Sequence, residues 1–197
     1  KIQSIKKKYN NKKSGLIIKG FKQKGTGKAE AVFYGFEKAQ NEVLFILDAD
    51  LTVPPEELPK FWRKISLGEA EYINGTRLIY PMDNEAMRFL NYLANKMFSI
   101  IFSWILSQRY TDTLCGTKVL SKKNYEKIKI KNKDLGNFDP FGDFFLIFGS
   151  SRLCLKMNEI PIRYKARSYG ETQISRFSHG IMLVKMVIFA FFKIKAI

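Results

Sequence analysis

Short apolar runs alternate with helical periodicities over the first 80 residues. Residues 16–18 and 43–47 are apolar runs of strand length, and residues 72–75 close a third short strand. Residues 29–40 place apolar side chains at helical spacing, and residues 54–57 combine two prolines with two acids, as is typical of a helix start. Because residues 43–47 are apolar without a break, we expect a strand buried on both faces, as in a parallel sheet covered by helices. This order of elements predicts an α/β domain.

Residues 86–108 predict a long helix with an unusual distribution of polar side chains. Its polar positions recur at steps of three or four and form one narrow stripe, made of Arg88, Asn91, Asn95, Ser99 and Ser103. Nearly every other position is apolar, which is the reverse of a soluble surface helix. Two interpretations are open at this point: a helix buried in the core, or a helix in a membrane interface whose polar stripe turns toward the protein.

Residues 181–197 have a similar apolar character, interrupted by Lys185, Lys193 and Lys195. The stretch is shorter than the roughly 20 apolar residues that a membrane-spanning helix needs. We therefore divide the chain into a domain over residues 1–180 and a membrane-proximal amphipathic segment over residues 181–197.

The chain has 34 basic and 18 acidic residues, and its formal net charge of +16 indicates an anionic partner. Nucleic acid, an acidic membrane surface and a phosphorylated substrate are the candidates. The basic residues are scattered and the aromatic residues lie in apolar helices, so we expect no nucleic acid partner. Cys115 and Cys154 have no metal-type spacing, which indicates a reduced, cytosolic environment.

Asp48-Ala49-Asp50 follows directly after the apolar run of residues 43–47. Ligands of open α/β sheets bind outside the carboxyl ends of the strands. In an extended segment, residues i and i+2 point to the same side, so we expect both carboxylates to converge on one cation. Oxygen ligands without His or Cys favour Mg²⁺ or Mn²⁺. A divalent ion on a diphosphate would stabilise the charge that develops on a leaving nucleotide.

Five short motifs follow one another along the chain. They are Gly25-Thr26-Gly27-Lys28-Ala29, Asp48-Ala49-Asp50-Leu51 with Pro55-Glu56 after it, Asn74-Gly75-Thr76-Arg77, Thr111-Asp112-Thr113-Leu114-Cys115-Gly116-Thr117-Lys118, and Arg167-Ser168-Tyr169-Gly170-Glu171-Thr172. In this order they resemble family 2 glycosyltransferases, in particular the dolichol- and polyprenyl-phosphate sugar synthases. The resemblance runs from about residue 25 to about residue 180.

The resemblance implies a GT-A fold, with a Rossmann-like, mixed but mainly parallel sheet and flanking helices. We expect this fold to be incomplete at the N-terminus, because the family's opening strand with its Pro-x-x-Asn-Glu turn is absent. The implied metal ligands are Asp48 and Asp50, and the implied catalytic residues are Asp50 and Asp112. The implied donor-binding residues are Lys28, Asp48, Asp50 and Arg77, and the implied acceptor or phosphate-binding residues are Arg88, Asn91 and Arg167.

Two departures from the family pattern concern the donor loop and the acceptor. Gly27-Lys28 lacks the glycine that often follows the lysine in the family, and Gln173 stands where the polyprenyl-phosphate branch usually has Lys. The second departure bears on the acceptor more than on the class of enzyme.

The expected reaction is metal-dependent, inverting transfer of a sugar from a nucleotide-sugar to a polyprenyl or dolichyl phosphate at an acidic membrane surface, on the cytoplasmic face. A phosphate nucleophile is ionised at neutral pH and needs no strong base, so catalysis would rest on positioning and electrostatics. A saccharide hydroxyl as acceptor would instead need a carboxylate base, for which Asp112 and Asp143 are the candidates. A nucleotidyltransferase and a basic nucleic-acid or membrane-binding module are the alternatives from other classes.

Overall fold

A computed structural model of the chain describes residues 15–81, 89–133, 139, 141–167 and 176–196. Four strands and six α-helices make up these parts. The strands are β1 (Val43–Ile46), β2 (Tyr72–Thr76), β3 (Lys118–Ser121) and β4 (Met157–Pro161). The helices are α1 (Lys28–Lys38), α2 (Leu58–Ser66), α3 (Phe89–Ile105), α4 (Lys122–Lys131), α5 (Asp143–Arg152) and α6 (Arg176–Ala190). A 3₁₀ turn at Pro55–Glu57 precedes α2, and a π-helical turn at Phe191–Lys195 follows α6.

The four strands form one mixed sheet in the order β1-β3-β2-β4. β2 and β4 are parallel, whereas β3 lies between β1 and β2 and runs antiparallel to both. The α/β class and the mixed sheet are confirmed. The mainly parallel pairing differs from expectation in this part of the chain, because β3 separates β1 from β2, two strands that run in the same direction.

Helices cover both faces of the sheet, so the described domain has three layers. In β1, Leu44 and Ile46 point into the larger core cluster, which helices α1 and α3 to α6 complete. Val43 and Phe45 alternate to the other face and pack on a smaller cluster around Phe61 of α2. β1 is therefore covered on both faces, although Val43 and Phe45 are only half-buried.

Asn95 and Ser99, in the middle of the polar stripe of α3, turn toward the protein. Asn95 is 2% exposed and Ser99 is 1% exposed, whereas Ile100 on the opposite side is 63% exposed. Other large apolar side chains share the outward face of the helix: Leu90, Leu93, Met97 and Trp104. This distribution decides against a helix buried in the core, because a core helix does not leave such side chains in solvent.

Helix α6 and its π-helical turn present a second exposed apolar face. Ile181, Val184, Ile188 and Phe192 are all at least half exposed. The ring of Phe191 stacks on that of Trp104 of α3, with the centroids 5.8 Å apart, so the outward faces of the two helices adjoin. No helix in the described residues is long and apolar enough to span a bilayer.

Two further expectations concern single segments. Residues 16–18 do not form a strand of the sheet; Leu16 makes only an isolated bridge. Helix α6 begins at Arg176 and crosses the boundary that we drew after residue 180, and its Leu183, Met186 and Ala190 belong to the larger core cluster. The division into two segments stays a prediction.

Candidate active site

Asp48 and Asp50 follow β1 in a tight turn. The backbone N–H of Leu51 donates to the carbonyl oxygen of Asp48 over 3.3 Å, and Leu51 adopts a φ of 55°, in the left-handed region. The extended geometry expected for residues 48–50 is therefore wrong, because the chain turns directly after the strand. Each of the two carboxylates is half-buried, and each is paired with a different basic side chain.

Lys28, the first residue of α1, pairs with Asp48. Its Nζ atom lies 3.1 Å from Oδ1 and 3.2 Å from Oδ2 of that carboxylate. Burial alone would lower the pKa of Lys28, but the carboxylates of Asp143 and Asp48 raise it above its ordinary value. The Lys28 ammonium is therefore charged at neutral pH.

Gly116 has no side chain, and this leaves room for the ion pair between Lys28 and Asp48. A Cβ atom at position 116 would overlap with Oδ2 of Asp48 and would lie 2.6 Å from Nζ of Lys28. The loop before β3 thus approaches the turn after β1 as closely as a backbone without a side chain allows.

Arg167 reaches the second carboxylate of the turn. Its Nη2 atom lies 2.8 Å from Oδ2 of Asp50. The other oxygen of Asp50 accepts from the backbone N–H of Thr52 over 3.2 Å and from its hydroxyl over 2.9 Å. Asp50 is therefore oriented by its own turn and paired with a residue from the segment after β4.

Arg77, directly after β2, forms a bidentate pair with Asp112. Its Nε atom donates to Oδ2 over 2.6 Å, its Nη2 atom to Oδ1 over 2.8 Å, and its backbone N–H to Oδ2 over 3.1 Å. Burial would lower the pKa of Arg77, but the Asp112 carboxylate raises it above its ordinary value. Burial would raise the pKa of Asp112, but Arg77 and Asn95 hold it below its ordinary value. Both groups are therefore charged.

Hydrogen bonds from several elements fix the loop that carries Asp112. Nδ2 of Asn95, on the polar stripe of α3, donates to Oδ1 of Asp112 over 2.9 Å. Nδ2 of Asn74 donates to the carbonyl oxygen of Asp112 over 2.6 Å. Glu159 of β4 accepts from the backbone N–H and the hydroxyl of Thr111, over 2.7 and 2.8 Å. Burial raises the pKa of Glu159 despite these donors.

A buried ion pair connects this loop to the Lys28 side of the site. Nζ of Lys118, at the start of β3, lies 3.3 Å from Oδ1 of Asp143, at the start of α5. The same ammonium donates to Oδ1 of Asn74 over 3.0 Å. Oδ2 of Asp143 lies 3.8 Å from Nζ of Lys28. Charged and amide groups therefore run without a break from Arg77 to the Asp48 turn.

Six of the side chains predicted from the sequence meet in ion pairs. Asn91 is exposed in the first turn of α3, and Arg88 lies outside the described residues. The roles of the predicted residues stay predictions. The paired residues are Lys28 with Asp48, Asp50 with Arg167, and Arg77 with Asp112.

The site also contains residues that the sequence analysis did not assign to it. Asn74 and Lys118 stand inside two of the quoted motifs, but nothing in the local pattern indicated that Lys118 would be buried. Glu159 faces the site from the fourth strand, and the sequence pattern gave no signal for it. Asn95 belonged to the polar stripe, whose inward orientation was one of the two open interpretations.

Comparison with known sequences gives the family. The sequence profile of glycosyl transferase family 2 matches residues 1–148. The chain belongs to this family. A dolichol-phosphate mannosyltransferase of Pyrococcus furiosus is 34% identical to the glycosyltransferase chain over 178 residues, which are 88% of the chain and 46% of the relative. The low-salt glycan biosynthesis hexosyltransferase Agl6 of Haloferax volcanii is 24% identical over 165 residues, 83% of the chain and 38% of that relative.

The chain thus spans less than half the length of these two relatives. Among solved structures, glucosyl-3-phosphoglycerate synthase of Mycobacterium tuberculosis in complex with Mn²⁺, UDP-glucose and glycerol 3-phosphate superimposes with a TM-score of 0.57. The identity is 14%, over 87% of this chain and 56% of that one. The complex of the same enzyme with UDP gives a TM-score of 0.58 at 14% identity. The GT-A fold expected for a family 2 glycosyltransferase is confirmed.

The carboxylates after β1 suit the divalent cation that the family implies. Asp48 and Asp50 offer oxygen ligands only, which is the donor set of Mg²⁺ and Mn²⁺. No group of three or more His, Cys, Asp or Glu in the described residues could hold an ion by itself. A cation bound by these two acids would therefore take its remaining ligands from diphosphate oxygens and water, as Mg²⁺ does in many phosphate sites.

Proposed function

We propose that this chain is the catalytic part of a glycosyltransferase that transfers a sugar, with inversion, from a nucleotide-sugar to a polyprenyl or dolichyl phosphate at a membrane surface. The observation that carries the proposal is the polarity of α3. Its inward stripe bonds the loop of the Arg77–Asp112 pair through Asn95, and its outward face is apolar and exposed. An anionic group beside Arg77 would lie next to a surface suited to lipid.

The donor would bind at the turn after β1. Asp48 and Asp50 would hold Mg²⁺ or Mn²⁺, which supplies electrostatic stabilisation to the departing diphosphate when it is bound. Lys28 is charged and within 3.2 Å of Asp48, so it can approach the same phosphates. Arg77 can present its remaining N–H groups to phosphate oxygens, a task to which the planar guanidinium is suited.

The acceptor phosphate would be bound by basic residues on the membrane side of the site. Arg167 reaches the Asp50 carboxylate and carries its charge on a long side chain, which suits a bridge between donor and acceptor phosphates. Arg88 and Asn91, from the start of the polar stripe, are the other predicted contacts. The dolichol-phosphate mannosyltransferase among the relatives supports an acceptor of this class.

Asp112 acts, in this proposal, by holding Arg77 rather than by taking a proton. It is fully buried, and its two oxygens already accept from Arg77, Asn95 and the backbone N–H of Leu114. A phosphate acceptor is compatible with this arrangement because its nucleophilic oxygen is ionised at neutral pH and needs no base.

We also propose a membrane location on the cytoplasmic face, which the same features support. The adjoining exposed faces of α3 and α6 would lie in the interface, and basic residues would add roughly 1 kcal/mol each on an acidic surface. Both cysteines are free, which agrees with a reducing compartment.

The direct test offers two acceptors to the full-length protein in parallel. Liposomes of acidic phospholipid with dolichyl phosphate, and a soluble oligosaccharide, are each incubated with Mn²⁺ and radiolabelled UDP- or GDP-sugars. We expect label in the organic phase, released by mild acid, as a glycosyl phosphate should be. Label only in the oligosaccharide would retain the enzyme class and refute the lipid acceptor. No transfer to either acceptor from any donor would refute the activity.

A further inference from the structure

Asp143 is a buried carboxylate whose two oxygens face two different lysines. Only 6% of the residue is exposed. Its Oδ1 lies 3.3 Å from the ammonium of Lys118, and its Oδ2 lies 3.8 Å from that of Lys28. Asp143 therefore lies between two basic side chains that come from different elements of the fold.

Lys118 fixes the carboxylate on one side. The side chain of Lys118 is fully buried, and its ammonium also donates to Oδ1 of Asn74 over 3.0 Å and to the carbonyl oxygen of Cys115. The three acceptors come from β2, the loop before β3 and α5. A lysine held from three elements has a defined position, so the carboxylate that it binds is defined as well.

Lys28 is the movable partner on the other side. Its side chain keeps 30% of its exposure and has four rotatable carbon–carbon bonds, so its ammonium could stand in many places. The carboxylates near it are those of Asp48, whose side chain is 41% exposed, and of buried Asp143. Of these two, only Asp143 is anchored to the core.

We propose that Asp143 is a positioning residue of the donor site, which holds the Lys28 ammonium beside Asp48. In this proposal Asp143 does not contact the substrates, and its effect passes through Lys28. The inference rests on the proposed function in one respect, namely that a nucleoside diphosphate binds beside Lys28. In this arrangement Asp143 connects buried Lys118 to Lys28, and Lys28 would contact the donor phosphates.

A purely structural role for Asp143, as the cap of α5, is the competing explanation. Acids are favourable in the first turn of a helix. However, Asp139 already serves this helix start, because its carboxylate accepts from the backbone N–H groups of Phe141 and Phe145 over 3.0 and 2.9 Å. Asp139 is also buried, at 8% exposed. Asp139→Asn is therefore a matched control that perturbs the same helix without removing a charge from Lys28.

Three variants separate the positioning of Lys28 from the stability of the fold. Asp143→Asn removes the anchor but leaves Lys118 buried without an anion, which is expected to destabilise the fold. The double variant Lys118→Met/Asp143→Asn removes both charges and avoids that problem. Lys118→Met alone keeps the charge of Asp143 and measures how much of the double variant's effect comes from the loss of Lys118.

The first measurement is the affinity of the full-length protein for UDP and for GDP in the presence of Mn²⁺, by calorimetry. For the nucleotide that binds, we expect Lys28→Ala and Lys118→Met/Asp143→Asn each to raise Kd about tenfold. Adding Lys28→Ala to the double variant should change Kd no further, since both act through one ammonium. Asp139→Asn should stay within about threefold of wild type. Lys118→Met, which loosens Asp143 but keeps its charge, should raise Kd less than the double variant does. Additive losses, or wild-type affinity in the double variant, would overturn the inference.

The second measurement does not depend on the proposed function. A crystal structure of Lys118→Met/Asp143→Asn without nucleotide should show the Lys28 ammonium displaced from Asp48, whereas Asp139→Asn should keep the contact. An unmoved Lys28 would overturn the inference. If wild-type protein binds neither nucleotide, the proposed donor site is refuted, and the crystal structures alone decide whether Asp143 positions Lys28.

Discussion

Replacing Asp112 with asparagine distinguishes an anchor for Arg77 from a catalytic acid or base. The substitution keeps the size of the side chain and removes its charge. It leaves the Arg77 guanidinium, whose side chain is 13% exposed, without the carboxylate that receives its Nε and Nη2 bonds. The asparagine NH₂ group would also face the donors of Arg77 or Asn95, since an amide cannot accept at both of its terminal atoms.

The expected loss of stability is large because the pair is buried. Removing one partner of a buried ion pair typically costs about 3–5 kcal/mol. The contact of the guanidinium with the ring of Tyr164, at 5.2 Å from the centroid, is common to both proteins and cancels in the difference. We therefore expect Asp112→Asn to lose about 3–5 kcal/mol of unfolding free energy at pH 7.

The difference between wild type and variant should depend on pH in a defined direction. The folded-state pKa of Asp112 lies below its ordinary value of 3.8, because Arg77 and Asn95 outweigh the effect of burial. The stabilisation is therefore fully present above about pH 4 and is lost as the pH falls through the lowered folded pKa. The gap between the two proteins should narrow only in strongly acidic solution.

Urea unfolding of the full-length proteins, followed by tryptophan fluorescence, measures this gap. A double variant, Arg77→Met/Asp112→Leu, removes both charges and should recover much of the stability, although not the activity. If Asp112→Asn unfolds within about 1 kcal/mol of wild type while its kcat falls a thousandfold, Asp112 is a catalytic acid or base and the anchor reasoning is refuted.

Three other substitutions test other parts of the site. Gly116→Ala should lower kcat/KM at least tenfold with nearly unchanged Tm, because its Cβ displaces the flexible ends of Asp48 and Lys28 rather than the backbone. A normal kcat/KM would contradict the close approach of Gly116 to that ion pair. Asp50→Ala should abolish transfer in saturating Mn²⁺ without unfolding the domain, whereas Glu56→Gln, at an exposed position, should not; full activity of Asp50→Ala, or of wild type in excess chelator, would refute the metal site. Ile100→Ser should weaken binding to acidic liposomes roughly 5–30-fold, from about 1–2 kcal/mol of lost apolar burial. Ile130→Ser is the control, because Ile130 is similarly exposed but lies on α4. Equal effects of the two substitutions would argue against an interfacial α3.

The local sequence pattern was sufficient to predict those elements in which buried and exposed positions alternate regularly. The apolar run of residues 43–47 gave β1, the spacing after Lys28 gave α1, and the prolines before residue 58 gave the start of α2. In each case, neighbours in sequence share one face of the element, so the periodicity records the burial. The family motifs then indicated which strand ends carry the polar site residues.

Long-range pairing was not available from local pattern. β3 lies between β1 and β2, with Ser121 opposite Val43, and this contact joins residues far apart in the sequence. Lys118 is the first residue of that strand, and a lysine is usually found at the surface. It is nevertheless fully buried, because its ammonium binds Asn74 and Asp143 from other elements. The turn at Asp48 and Asp50 was missed for a similar reason, since Leu51 gives no glycine-like signal for its positive φ.

The bonds between α3 and the loop before β3 set the depth of the proposed acceptor site. Asn95 holds Asp112, and the hydroxyl of Ser103 accepts from the N–H of Tyr110 over 2.8 Å and contacts its carbonyl oxygen at 3.0 Å. The two attachments are eight residues apart on one helix, or about 12 Å. A helix that lies flat in a membrane interface has a fixed height, so the loop, and Arg77 bound to it, would have a fixed height as well. A lipid phosphate is likewise confined to the headgroup layer by its buried chain. Arg77 and the lipid phosphate would therefore lie at the same depth in the membrane interface, and the acceptor would need to diffuse only within the plane of the membrane. A soluble acceptor would not gain this advantage from the helix.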